Sequence, residues 1–348
     1  MVMQIDIDLF SKIYRQLGDE TSKEIFKNRL MYSMSEDSRW IFETIKFVRR
    51  GNCFLKQLEH CSIHGEIVIF GAGVWGKDLQ KITRTYPWKC FVDNHPKASE
   101  MHGLPVIRGN EFLERYHDEY IFISSRIFYK EIYEQLIRAG IPVSNIINVG
   151  EVLDELSAVQ YFDLEYLKPA GEKEIFLDVG GFDGMTSVYF SKWSQRDSFV
   201  YVFEPDVDNV VKCRKNLENH YIKYKIIPKG AWSERTILKF QSVANGSSNI
   251  TTTGEEAVPV TTIDNELATE KVTFIKMDIE GSELQALIGS EYTIINNKPK
   301  LAISIYHKPE DIWEIPDIIL KYNPSYKLFL RHYSLTDYET VLYALPDV

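Results

Sequence analysis

Ile175-Phe176-Leu177-Asp178-Val179-Gly180-Gly181-Phe182-Asp183-Gly184 is the stretch on which the fold turns. A short apolar run ends on an acid and passes into glycines. Thr186 and Ser187 then open the next helical pattern. A continuous apolar run of this length predicts a strand buried on both faces, as in a parallel sheet. Glycines at its end let a backbone approach a ligand without a Cβ in the way. The helix beyond them presents free N–H groups to a negative group. Glu204 stands twenty-six residues after Asp178, just past the next strand run Phe199-Val200-Tyr201-Val202-Phe203 and before Pro205. An acid there is placed to accept hydrogen bonds from ribose hydroxyls. Glycine loop, helix and second acid, in that order, fit a nucleoside ligand. A tight turn that binds nothing is the alternative.

Outward from that stretch, more strands of the same kind follow. They are Tyr224-Lys225-Ile226-Ile227, Phe274-Ile275-Lys276-Met277 and Leu301-Ala302-Ile303-Ser304-Ile305. Alternation of such runs with helical patterns predicts a doubly wound α/β sheet. A Ser/Thr/Gly-rich stretch, Ala244 to Gly254, lies between Leu238-Phe240 and Val258-Val260 and reads as an inserted β arm. Tyr326 to Leu330 and Thr340 to Ala344 predict a C-terminal antiparallel hairpin at the sheet edge. Upstream, Ile67-Val68-Ile69-Phe70, Cys90-Phe91-Val92, Tyr120-Ile121-Phe122-Ile123 and Ile146-Ile147-Asn148-Val149 form a second, smaller series. Three helices precede it, with Phe10, Ile13, Tyr14 and Leu17 on one face of the first. The expected division is a helical segment 1–64, a small Rossmann-like α/β domain 65–150, a linker 151–172 and the larger α/β domain 173–348.

Composition sets the outer bounds. The chain has 348 residues, 44% apolar and 26% charged, which fits a folded globular protein and excludes wholesale disorder. Its net charge is −10, so general nucleic-acid binding is not expected. No apolar run approaches the roughly 18 residues that span a bilayer, so no membrane association is expected. MVMQIDIDLF has Asp6 and Asp8 among its apolar residues and reads as no signal peptide. Cys53, Cys61, Cys90 and Cys213 form no CxxC pair and read as free thiols in a reducing cytoplasm.

The larger domain resembles motif I of class I S-adenosylmethionine-dependent methyltransferases, and specifically the FkbM family. The resemblance lies in FLDVGGFDGMTS, VYVFEPD, PVTTIDNEL, IKMDIEGSELQALIGS and LAISIYHKPEDIWEIP, and covers residues 171–346. Gly181 and Phe182-Asp183 stand where the family more often has Ala-Asn and an aliphatic, which alters contacts to the methionine end. The resemblance implies S-adenosylmethionine as cofactor and small metabolites or sugars as acceptors. It implies a cofactor site at Asp178, Gly180, Gly181, Asp183 and Thr186, with Glu204 on the ribose. Ala231 and Trp232 would lie near the adenine, although Trp232 reads equally well as a core aromatic.

Methyl transfer is an in-line displacement, so the chain must hold the nucleophile near and aligned. A hydroxyl nucleophile also benefits from a base. Such groups should collect outside the carboxyl ends of the strands. Asp278, Glu280 and Glu283 follow one strand, and Tyr306-His307-Lys308 follow another. Asp278 is placed to meet cofactor or substrate. Glu280 and Glu283 also fit as favourable charges at a helix start. Asp278 and Glu280 could hold a divalent ion. His307 is the candidate base, since an ordinary imidazole titrates near about 6.5. Of eight histidines, only His307 and His332 fall at such strand ends. Ser247, Ser248, Tyr306, Lys308 and His332 are candidate substrate contacts.

The smaller domain has its own glycine-rich strand end, Gly71-Ala72-Gly73-Val74-Trp75-Gly76, with Asp93 twenty-two residues after Gly71. This matches the spacing of a dinucleotide fingerprint. No second mononucleotide-binding half follows, and Trp75 would crowd a pyrophosphate. The expected function is therefore O-methyl transfer to a sugar or sugar nucleotide, in polysaccharide assembly, or to another small metabolite. A homo-oligomer through the N-terminal domain fits the same reading. The alternatives are an NAD-dependent oxidoreductase and a non-catalytic sugar-nucleotide-binding protein, each using Gly71–Gly76 and Asp93.

Overall fold

The computed structural model describes residues 7–241, 249–250, 256–267 and 269–346. Its contacts divide the chain into two compact units. One gathers the chain up to Phe26, Tyr161–Arg331 and the chain from Glu339. The other gathers Lys27–Gln160 and His332–Tyr338. Among the described residues, no helix is long and apolar enough to cross a membrane.

Helices α1 (Ile7–Gln16), α2 (Glu20–Ser35), α3 (Arg39–Ile45) and α4 (Gly51–His64) come first. The smaller sheet follows with β1 (Ile67–Phe70), α5 (Val74–Ile82), β2 (Trp88–Asp93), β3 (Glu100–Met101) and β4 (Leu104–Arg108). It continues through α6 (Gly109–Glu114), β5 (Tyr120–Ile123), α7 (Tyr129–Arg138), β6 (Ile146–Asn148) and α8 (Val149–Val159). The strand order is β3-β4-β2-β1-β5-β6. β1 lies between β2 and β5, parallel to both. The chain moves outward from β1 to β4 and then returns to the other side for β5 and β6. That reversal makes the carboxyl ends of β1 and β5 a topological switch point. One sheet face is apolar: Val68, Phe70, Cys90, Val92, Ile121 and Ile123 pack with Phe112 of α6 and Leu136 of α7. The sequence reading did not include β4, because Pro105 interrupts its apolar residues. Helix α8 starts where Asn148 Oδ1 accepts the Glu151 N–H at 3.0 Å, and so occupies the first part of the segment read as a linker.

The larger sheet is built from β7 (Lys173–Val179), α9 (Met185–Ser194), β8 (Asp197–Phe203), α10 (Val207–Asn219) and β9 (Tyr224–Ile227). The inserted arm has β10 (Gly230–Ala231), β11 (Thr236–Gln241), β12 (Asn249–Ile250) and β13 (Glu256–Thr261), in the order β10-β13-β11-β12. Leu238 pairs with Val258 across it, antiparallel. After α11 (Ile263–Leu267) come β14 (Phe274–Met277), α12 (Glu283–Ile288), α13 (Glu291–Asn297), β15 (Lys300–Ser304), α14 (Asp311–Tyr322), β16 (Lys327–His332) and β17 (Thr340–Leu345). The strand order is β16-β17-β15-β14-β7-β8-β9. β17 pairs antiparallel with β15, and β16 lies outside it. Here β7 and β14 run side by side, parallel, and their carboxyl ends form the second switch point.

Aromatic packing stiffens β7 and β14. The Phe176 and Phe190 rings stack at 4.1 Å, and Phe274 meets both edge-on. All three are fully buried, each contributing about 1.5–3 kcal/mol. In the same unit, Phe10 of α1 packs on Trp313 of α14 at 5.9 Å. The Gly18 N–H donates to the Leu328 carbonyl at 2.8 Å.

Candidate active site

The β7 end comes into close contact with the β14 end at Gly180. Its φ is +81°, and a Cβ there would lie 2.0 Å from the Asp278 carbonyl oxygen. Only glycine meets both conditions without strain. Beyond it Phe182 holds φ 47° and donates its N–H to Glu204 Oε2 at 2.8 Å. Glu204 Oε1 accepts the Asp206 N–H at 2.9 Å. The Asn209 side chain also bonds the carboxylate, which still leaves a lone pair for a further donor. Burial pushes its pKa up, and the two backbone N–H bonds oppose that. Asp183 Oδ1 accepts the Met185 N–H at 3.0 Å at the start of α9, and Thr186 is half-buried beside it.

Asp178 is fully buried and turned inward. Its Oδ2 accepts the Ser187 hydroxyl at 2.7 Å, and its Oδ1 pairs with Lys276 Nζ at 3.0 Å. It therefore anchors α9 to β7 and neutralises a buried lysine. Burial alone would lower the Lys276 pKa. Asp178 first, then Asp278, outweigh it, and the ammonium stays charged. Lys276 Nζ also donates to the Gly180 carbonyl at 2.6 Å, which fixes the glycine loop from below.

Asp278, Glu280, Glu283 and His307 converge. His307 Nδ1 lies 3.1 Å from Glu283 Oε1, and its Nε2 lies 3.5 Å from Asp278 Oδ1 and 3.6 Å from Glu280 Oε2. Glu283 is fully buried and also accepts the Ile279 N–H at 2.7 Å, so it both caps the turn and binds the imidazole. Burial opposes charge on His307. Glu283, then Asp278 and Glu280, override it and push the pKa up to about 9. Glu280 is raised to about 7 by burial, with His307 pulling it down and Asp278 and Glu283 adding to the rise. Glu280 holds φ 55°, a conformation a glutamate keeps only when its surroundings fix it. One atom each from Asp278, Glu283 and His307 lie within 4.8 Å of one another, close enough to share a cation.

Two contributors escaped the sequence reading. Tyr161 has φ 75° and donates its buried hydroxyl to Asp278 Oδ2 at 2.7 Å. Nothing in the sequence around it signals that reach across 117 positions. Lys276 did carry a signal, as a lone cation inside the apolar run 274–277. Tyr306 also donates to Asp278, to Oδ1 at 3.3 Å. Burial raises both phenols well above the ordinary value, so both remain donors.

The remaining candidates lie outside the Asp278–His307 cluster. His332 is buried in the other unit, with its Nε2–H toward the Thr336 carbonyl at 2.8 Å. Burial, then Arg29, lowers its pKa to about 3. Lys308 is exposed. Ala231 is buried in β10 and Trp232 is half-buried beside it, in the four-stranded arm. Ser247 and Ser248 lie outside the described residues.

A switch-point glycine loop, an acid at the end of the second strand and this strand order, with an antiparallel β17, define a class I methyltransferase fold. Residues 178–331 match the family model described as Methyltransferase FkbM domain. Residues 64–147 match the model described as C2185-like, N-terminal. Among solved structures, the methyltransferase FkbM from Methylobacillus flagellatus KT is 21% identical, with a TM-score of 0.51, over 85% of this chain and 99% of that one. An O-methyltransferase from Bacillus cereus in complex with SAH is 11% identical, with a TM-score of 0.32, over 62% of this chain and 89% of that one. Fibrillarin from Aeropyrum pernix, with S-adenosyl-L-methionine bound, is 11% identical, with a TM-score of 0.37, over 55% and 74%. No curated protein matches the chain.

Proposed function

We propose that this chain is an S-adenosylmethionine-dependent O-methyltransferase acting on a hydroxyl of a sugar or sugar nucleotide in polysaccharide assembly, or of another small metabolite. The observation that carries the reading is Glu280, a carboxyl with a pKa near 7, beside His307 at the switch point that Gly180 opens. When bound, the cofactor supplies an electrophilic methyl group on a positively charged sulfur. The backbone at Gly180-Gly181, with Asp183 and Thr186, holds its amino-acid end, and the open lone pair of Glu204 takes a ribose hydroxyl. Ala231 and Trp232 border the adenine. Asp278 and Glu280 favour the positive charge through space.

Glu280 takes the proton of the acceptor hydroxyl as the oxygen–methyl bond forms and the carbon–sulfur bond breaks. An acid with a pKa near working pH suits that transfer. His307, on its ordinary pKa, would be the base. Its surroundings keep it protonated at neutral pH, so we assign it to holding Glu280 and Asp278 in place. Tyr161 and Tyr306 fix Asp278 from both oxygens.

The test is incubation with S-adenosylmethionine and a panel of sugar nucleotides, read as a mass gain of about 14 Da, one added CH₂. Glu280→Gln should lower kcat by about 100-fold with S-adenosylhomocysteine affinity unchanged. A panel without any mass gain, on a chain that binds S-adenosylhomocysteine, would retire the O-methyl reading. Turnover lost on chelation would instead point to a divalent ion near Asp278, Glu283 and His307 that would lower the pKa of the acceptor hydroxyl, its proton leaving to solvent.

A further inference from the structure

The smaller unit repeats the cradle of the larger one. At its switch point Gly71 has φ +121°, and a Cβ there would lie 2.6 Å from the Ser124 carbonyl oxygen at the end of β5. Gly180 and Asp278 stand in the same relation in the larger unit. The Ala72 N–H donates to Asp93 Oδ2 at 2.8 Å, and the His95 N–H to Asp93 Oδ1 at 2.8 Å. Phe182, two residues past Gly180 where Ala72 is one past Gly71, and Asp206 make the matching pair of bonds to Glu204. Asp93 therefore keeps open lone pairs at the place where a ribose acid belongs.

What the larger unit does not share is the residue at the switch point. Ser124 is 2% exposed, and its Oγ has no hydrogen-bond partner among the described residues. A buried hydroxyl without a partner costs about 1–3 kcal/mol, so its presence calls for an account. Ile69 and Phe122 are register partners, and α5 packs on the Ile69 side through Gly76. Strand alternation carries Ser124 to that same face, under the loop that opens α5. The first turn of α5 has no side-chain cap on Gly73. Gly73 is exposed, and nothing lies within 4 Å of where its Cβ would stand. Trp75, expected from the sequence to crowd a pyrophosphate, is half-buried with the Arg126 guanidinium over its ring at 5.8 Å, and the open side of the turn is at Gly73.

We infer that the β1–β5 switch point of the smaller unit binds a nucleoside diphosphate. Asp93 takes the ribose hydroxyls. The free N–H groups of the α5 first turn take the diphosphate, with Arg126 nearby, and the Ser124 hydroxyl gains a partner in the ligand. Ser124 stands where the larger unit has Asp278, so the role we give this site is to bind. The inference does not rest on the methyl-transfer reading.

The experiment is calorimetry on the full chain with saturating S-adenosylhomocysteine, so that the other cradle is filled. UDP, ADP and NAD⁺ are the probes. We expect at least one to bind below 1 mM, the NAD⁺ arm separating a dinucleotide from a mononucleotide source of the diphosphate. Gly73→Trp fills open space, so it should weaken binding by about 100-fold or more without moving the melting temperature or S-adenosylhomocysteine affinity. Ser124→Ala should weaken it by about 3- to 10-fold. Binding that disappears when S-adenosylhomocysteine is added, binding indifferent to Gly73→Trp, or no binding of any probe would each overturn the inference.

Discussion

Two glycine loops on one chain share the same backbone wiring and differ in what faces them. In both, a positive-φ glycine sits against the carbonyl of the neighbouring strand end, and an acid accepts one loop N–H and the N–H two residues past itself. Across from Gly180 stand Asp278, Glu280 and His307. Across from Gly71 stands Ser124. The wiring makes a place for a ribose. The charged group opposite it decides whether a proton can also move. On the two proposals made above, one cradle serves chemistry and the other binding alone.

The largest expected effect tests how far the wiring constrains each loop. Gly180→Ala adds left-handed strain and drives a Cβ into the Asp278 carbonyl. It should cost about 2–5 kcal/mol in thermal or urea unfolding. Gly73→Ala enters open space with an extended φ of −85°. As the N-cap of α5 it loses a little in capping and gains a little in chain entropy, so the net change should stay within about 1 kcal/mol of zero. Similar losses at both positions would break the distinction between a closed and an open loop.

A smaller effect concerns charge. His307 has its folded pKa raised to about 9, from about 6.5 unfolded. A raised base contributes stability that is complete below pH about 6.5 and is lost as pH climbs toward 9. Glu280 and Asp311, acids raised to about 7, are still half-protonated at pH 7 and lose the rest of their contribution by about pH 8, so the part of the limb from pH 8 to 9.5 belongs to His307. The melting temperature should therefore fall from pH 7 to 9.5, and His307→Gln should flatten that limb. Ser124→Ala, in the uncharged cradle, should leave the slope as it is. An unchanged slope in His307→Gln would remove the imidazolium from the site.

The smallest effect sharpens the positioning of Asp278. Tyr161→Phe removes one hydrogen bond, worth about 0.5–1.5 kcal/mol. kcat should fall by up to about tenfold with KM for the acceptor little changed. Tyr161→Phe that lowers only the melting temperature would leave Tyr161 a packing residue.

Much of the site was legible because strand ends announce themselves. Apolar runs that stop at Asp178, Glu204, Asp278 and His307 place those residues at the carboxyl edge of one sheet by periodicity alone. Their orientation was not legible. Asp178 points inward to Lys276 and Ser187, while Glu204 takes backbone N–H groups, and no local pattern separates the two. Tyr161 was invisible for a plainer reason. Its function depends on a contact 117 positions away, and loop closure over that distance leaves no trace in neighbouring residues. β4 was missed because Pro105 breaks the apolar run, and the structure accommodates it one residue before the pairing with β2 begins.

The sequence by itself determined the doubly wound sheets, the two glycine loops and the FkbM resemblance, since these rest on short-range spacing and on residues that only a few backbone shapes accept. Only the tertiary structure decided which groups are charged. The pKa values of His307 and Glu280 are set by burial and by the approach of His307, beyond β15, to the carboxylates beyond β14 within 3–4 Å. Coulomb energy in a poorly solvated site depends on those distances in space, and distance in space is what spacing along a chain does not encode.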